Sequence, residues 1–242
     1  MNSLTMHIFL AVLNVAVACG ILLAWHAGFK RLLWIISPVV WTLQLVNHFS
    51  HAGFYSLSGI IPTCAIASVV LGLCQCTSLT KDNGTKRPFY SAVWLLLLAL
   101  FSLIPDGVSH DSFMMTYIFA ILFFLFRPLC LGFVLYSLAG MVHVLSTEEV
   151  DVRIVKTSKD AAFMASILFL GGEIIGCYWG FIGWGTTWRW SGNFQFSAML
   201  FILFMVSLHV PAKLFHSWRG NNLTFSLPLL CIALCLILTK VI

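Results

Sequence analysis

Charge is scarce in this chain. Only 9% of its 242 residues are Asp, Glu, Lys or Arg, while 60% are hydrophobic. An ordinary soluble domain carries about 25% charged residues, so this chain lacks the polar surface that a water-facing fold needs. Polar connecting sequence is scarce too. No stretch between the apolar runs is long enough for a soluble domain, and no internal repeat is evident. Several runs exceed the roughly 18 apolar residues that mark a spanning helix. These features predict an all-α, polytopic integral membrane bundle forming a single membrane domain over residues 1–242. Eight spans fit best, at about 6–28, 32–49, 57–79, 89–105, 113–144, 160–181, 194–213 and 223–240. The fifth contains Arg127-Pro128; proline removes a helix hydrogen bond, so a kinked helix or two half-helices are expected there.

Cysteine patterning excludes further classes. The eight cysteines lie mostly inside apolar runs, with neither a disulfide framework nor zinc-ligand spacing. Cys231 and Cys235 share a helix face at i, i+4, where two small buried hydrophobes are expected. There is no Cys-x-x-Cys-His, so the chain is not itself a c-type cytochrome. Residues 6–28 lack the basic start and small-residue cleavage site of a signal peptide and read as a first span.

The net charge of +5 reports topology, and no nucleic-acid partner is expected. The loops after spans one, three, five and seven hold ten basic residues: Lys30, Arg31, Lys81, Lys86, Arg87, Arg153, Lys156, Lys159, Lys213 and Arg219. The opposite side holds two, Arg189 and Lys240. Basic residues gather on the cytoplasmic side, so both termini are expected outside, with His48, His51 and His110.

What is plentiful is tryptophan. Four of the nine fall between Trp179 and Trp190, in a stretch (179–194) that reads as an outer-face tryptophan-rich loop interleaved with Gly183 and Gly185. Trp179, Trp184, Trp188 and Trp190 are either an interfacial aromatic belt or the walls of a slot for a flat apolar ligand. Histidine is the commonest axial ligand to haem iron. His209 falls toward the inner end of span seven, as a helix-packing residue or a ligand; His48, His51 and His110 are solvated loop residues or outer ligands. Glu173, in Gly171-Gly172-Glu173, is expected to be protonated or paired with a cation such as Arg127, the glycines permitting close helix contact.

The run Trp184-Gly185-Thr186-Thr187-Trp188-Arg189-Trp190 resembles the tryptophan-rich signature of the CcsA/ResC and CcmC haem-handling proteins of cytochrome c assembly. Trp179 upstream, Leu208-His209 and Arg219-Gly220 downstream, Ser109-His110, and Ser58-Gly59-Ile60-Ile61-Pro62 extend the similarity, chiefly over 160–230. The signature's Asp is Ser191 here, and the family's C-terminal Gly-Leu-His-Ser-Tyr has no counterpart.

The resemblance implies a bacterial inner-membrane protein that takes haem b and presents it at the outer face to apocytochrome c. A ResB-like membrane partner and a thioredoxin-like reductase would accompany it. The chain would be at most the haem-handling subunit of a cytochrome c synthase system. His209 would then ligate the haem on its way through the bundle, and His110, or His48 and His51, would supply outer axial ligands, while Arg189 pairs with a propionate and the four tryptophans form the outer platform. The alternatives are a degenerate relative acting as an assembly scaffold without haem delivery and, third, a small-solute transporter. A thiol introduced by Thr187→Cys should react with an impermeant maleimide from outside the membrane; labelling only from the cytoplasmic side would reverse the topology.

Overall fold

The computed structural model describes residues 3–24, 30–79, 85–104, 118–147, 151–187, 192–211 and 217–241. Among these, eight α-helices and one 3-10 turn (Phe54–Ser58) account for the regular structure, with no strand. The helices are α1 (Ser3–Leu23), α2 (Lys30–Ala52), α3 (Ile60–Ser78), α4 (Arg87–Phe101), α5 (Ile118–Ser146), α6 (Val152–Trp184), α7 (Gly192–Leu208) and α8 (Trp218–Val241). Six of them are long and apolar enough to cross a membrane, so the chain is an integral membrane helix bundle. The other two, α4 and α7, are apolar but shorter, at 15 and 17 residues.

Proline accounts for both short helices. α4 ends in a tightening turn through Ile104, just before Pro105. α7 ends at Leu208 with His209 N–H bonded to Met205 O, two residues before Pro211. A proline cannot continue the ladder, and it disfavours helix in the residue before it. Span seven, expected to 213, therefore stops five residues early. α6 departs in the other direction. Asp151 caps its start by accepting from the Arg153 and Ile154 amides at 2.9 and 3.3 Å. Gly185, at φ 72°, closes its end in the left-handed conformation with its amide on Phe181 O. The helix is 33 residues long, about 50 Å at 1.5 Å per residue, so Arg153, Lys156 and Lys159 ride on a helical extension and not in a loop.

α3 and α5 form the centre. α5 packs most extensively on α6 and also against α3, α4 and α8; α1 leans on α2 and α4, and α7 on α8 more than on α6. α5 stays one helix through Pro128. Apolar packing is knitted by short polar links: Asn14 donates to Gln44 across α1 and α2, Ser91 to Gln75 across α4 and α3, and Ser207 to Phe225 O across α7 and α8. Arg87, nearly fully buried, donates to Thr157 and lies 3.8 Å from the Tyr136 ring centroid.

Two backbone carbonyls that have no helix-ladder donor are filled by side chains of other helices. Pro38 brings no N–H to Trp34 O, which the Cys76 thiol meets at 3.2 Å. Ser58 O, which precedes the α3 N-cap Gly59 and so lies outside that helix's ladder, is met by Lys240 Nζ at 2.9 Å. In a medium without water such groups must be satisfied internally.

Gly132 is where α5 meets α3 most closely: a Cβ there would lie 2.6 Å from Val70 Cβ and 2.8 Å from the Ala67 carbonyl oxygen. Gly132→Ala should lower stability by roughly 1–3 kcal/mol, measured by thermal unfolding in detergent. Gly20→Ala, whose Cβ meets only Leu33 methyls at 3.6 Å or more, should be tolerated. Equal behaviour of the two would remove the close approach as a constraint.

Candidate functional site

The C-terminal end of α6 carries the first two tryptophans. Helix runs through Trp184, so Trp179 and Trp184 stand on its last turns; the loop expected from residue 179 begins at Gly185. The two rings meet at the helix end, with centroids 5.7 Å apart at 69°. Trp179 is buried, its ring 6.0 Å from both Phe123 and Phe124 of α5. Trp184 is half exposed, at 50%. Tyr178 and Phe119 add an edge-to-face pair at 4.8 Å on the same two helices.

Below the tryptophans lies a part-buried ion pair. Arg127 Nη2 donates to Glu173 Oε1 at 2.9 Å and to Ser197 Oγ at 2.8 Å, joining α5, α6 and α7. The guanidinium carbon sits 4.4 Å from the Phe123 ring centroid. The pairing expected for Glu173 is therefore present, and Gly172 and Gly176 let α6 approach Phe126 and Phe123 closely enough to make it. A continuous chain of contacts thus runs Glu173, Arg127, Phe123, Trp179, Trp184, from within the bundle to its end.

The same end gathers a cation and a histidine. Lys240 Nζ, held on Ser58 O, lies 5.3 Å from the Phe124 ring, which touches Trp179. Ser58 closes the 3-10 turn, and Ser56 in that turn meets His48 Nε2 at 2.8 Å. The Ser56 hydroxyl gives its proton to Gly53 O at 2.7 Å, so it accepts from His48 and Nε2 carries the hydrogen. His48 Nε2 is therefore engaged as a donor. His51, in the last turn of α2, is exposed.

His209 lies elsewhere. It sits one residue beyond α7, exposed, rather than inside a span as expected. Its Nδ1 is 2.9 Å from Met205 O. A carbonyl only accepts, so Nδ1–H donates and Nε2 keeps the lone pair of the neutral ring. With Lys159 and Asp160 it forms the mouth of a cleft between α6 and α7 of about 470 Å³. Phe163, which also lines this cleft, is 21 residues before Trp184 on α6. That is about 30 Å at 1.5 Å per residue, so His209 and the tryptophans occupy opposite ends of the bundle.

Trp188, Arg189, Trp190 and His110 lie outside the described residues. Among the described residues no three His, Cys, Asp or Glu side chains converge as a metal site, so iron held there would rest on one or two histidines. Lys240, Phe123 and Phe124 were missed as members of the tryptophan end. Lys240 was visible only as one of two basic residues on the sparse side, and an aromatic in an apolar run gives no sign of its neighbours. Compared with family models, curated proteins and solved structures, the chain matches none.

The Arg127–Glu173 pair gives a sharp stability test. Arg127→Met alone leaves a buried carboxylate and should cost roughly 3–5 kcal/mol, as should Glu173→Leu. The double variant leaves no uncompensated charge and should melt well above the sum of the two losses. Strictly additive losses on thermal unfolding would show that the two groups are not coupled.

Proposed function

We propose that this protein handles haem for cytochrome c assembly: it takes haem b from the membrane and presents it, at the tryptophan end, to an apocytochrome c bearing reduced Cys-x-x-Cys-His. In this reading the membrane is a bacterial inner membrane, the tryptophan end faces outward, and a ResB-like protein and a thioredoxin-like reductase are the partners.

The observation that carries the reading is the half-exposed Trp184 ring braced on Trp179, with a cation and histidines at the same end. A haem offers a flat apolar face, two carboxylates and an iron that takes a neutral imidazole. Trp184 supplies a stiff indole surface whose orientation is fixed by packing on Trp179. Lys240 supplies a cation for a propionate, a charge-assisted contact stronger than a neutral hydrogen bond. His51 is an exposed imidazole; His48 would serve through Nε2 only after releasing Ser56. Arg189, Trp188, Trp190 and His110 extend the set by sequence. His209 is no axial partner for a haem held here, because it stands about 30 Å away along α6. Bond formation to the haem belongs to the cargo and the partner's thiols; this chain binds and orients.

A second reading, an assembly scaffold without haem delivery, is favoured by one specific feature. Trp179 is consumed in packing against Phe123, Phe124 and Trp184, as an anchor of helix α6 would be, and Ser191 replaces the family's Asp.

The absorption spectrum of the detergent-purified protein, oxidised and then dithionite-reduced, separates the two. Haem handling gives a Soret band with sharp reduced α and β bands, and Trp184→Ala or Lys240→Ala lowers the haem retained per protein. A clean protein spectrum from haem-replete cells leaves the scaffold.

A further inference from the structure

The cleft between α6 and α7 has a charge pattern that the haem reading leaves unused. Its walls are apolar, formed by Phe163, Ile167 and Leu170 of α6 facing Phe201 and Met205 of α7. Ser166, the polar exception, spends its hydroxyl on Phe163 O at 2.7 Å. From Asp160 to Leu170 the cleft follows α6 for ten residues, about 15 Å at 1.5 Å per residue. That is half the roughly 30 Å thickness of a bilayer's hydrocarbon core, the depth reached by acyl chains of one leaflet.

The mouth is dipolar. Lys159 and Asp160 are adjacent and exposed, yet neither forms an ion pair among the described residues. The Lys159 ammonium lies 5.7 Å from the Phe225 ring of α8, at the junction of this cleft with a smaller cavity of about 70 Å³ lined by Ser207 and Asn221. Ser207 is spent on Phe225 O. Asp160, which offers a carboxylate, and His209, whose Nε2 has a lone pair while Nδ1 is spent on Met205 O, both line the cleft. Further along the same helical extension, Arg153 leans on Asp151 at 3.6 Å, and Lys156 is exposed.

We propose that this cleft binds a phospholipid with a phosphoethanolamine headgroup, one acyl chain lying between α6 and α7. The phosphate meets Lys159. The primary ammonium donates to the Asp160 carboxylate and to His209 Nε2. A choline headgroup has no N–H to give and leaves both acceptors unfilled. A purely anionic headgroup places negative charge beside Asp160. The pattern therefore selects a headgroup carrying both an anion and a hydrogen-bonding cation. The proposal concerns the end of the bundle away from the tryptophans, so the spectrum described above does not bear on it.

The test is native mass spectrometry of the full-length purified protein, exchanged into an equimolar mixture of phosphatidylethanolamine, phosphatidylcholine and phosphatidylglycerol. The wild type should retain phosphatidylethanolamine over both others. Asp160→Asn, an exposed change, should abolish the preference over phosphatidylcholine. Ile167→Trp, which fills the cleft and leaves the charges in place, should lose the bound lipid while remaining monodisperse. Equal retention of ethanolamine and choline lipids by the wild type overturns the headgroup assignment, and preferential phosphatidylglycerol retention reduces the site to a basic surface. Undiminished retention by a folded Ile167→Trp removes the cleft as the site.

Discussion

Arg127 is the point on which the second half of the bundle hangs. A guanidinium among apolar helices is tolerable only with its charge answered, and here the answers come from two different helices: Glu173 of α6 and Ser197 of α7. Phe123, one turn before Arg127 on α5, lies beside the same cation and meets Trp179 in a tilted ring contact. The position of the tryptophans therefore depends on the ion pair. α6 is drawn onto α5 by Glu173, its glycines permit the approach, and Trp179 is then pressed among Phe123 and Phe124 with Trp184 braced against it. Because Ser197 lies near the start of α7, the clasp holds α6 and α7 together toward the tryptophan end only. Toward the basic end, where no such link occurs among the described residues, the two helices leave the cleft between them.

A second constraint, satisfaction of the backbone without water, shapes the first half. A carbonyl left without a ladder donor is answered at a distance. Cys76 on α3 serves the carbonyl that Pro38 leaves on α2, and Lys240, almost at the end of α8, serves the Ser58 carbonyl just ahead of α3. The second of these also does structural work for the tryptophan end. It pins α8 to the 3-10 turn and so brings the Lys240 ammonium beside Phe124. The Ser58-Gly59-Ile60-Ile61-Pro62 run thus acquires a physical role: the Ser58 carbonyl, between the 3-10 turn and α3, is where Lys240 docks.

The helices were legible from the sequence because apolar length is a one-dimensional property. So was the Glu173–Arg127 pairing, since an intramembrane acid requires a partner and Arg127 is the basic residue within an apolar run. What sequence could not supply was where polar character and helix part company. The basic stretch from Arg153 to Lys159 reads as a loop, yet an Asp151 cap turns it into helix. Leu208-His209 reads as mid-span, yet Pro211 ends α7 before it and leaves His209 exposed. Tryptophans 179 and 184 read as loop, but the helix closes only at Gly185. Contacts such as Lys240 with Ser58, 182 residues apart, leave no periodic trace at all.

The separation of the two ends has a consequence for any haem-handling role. Histidine at one end and indole at the other cannot grip one porphyrin across about 30 Å of helix, so the two features answer to different molecules or to different moments. The tryptophan end has the attributes of a presenting surface: a stiff exposed ring on α6, which the Arg127 clasp holds, with a cation on α8 and imidazoles on α2 at the same end. The basic end has the attributes of a lipid contact: an apolar furrow one leaflet deep beneath Lys159 and Asp160, which form no ion pair among the described residues. A bound lipid there would fill the gap that the clasp leaves open. It would hold α6 against α7 at the end away from the clasp, and so steady the helix that carries Trp179 and Trp184. Membrane composition would then reach the tryptophan end through α6 itself, a single element 33 residues long with the lipid at one terminus and the indoles at the other.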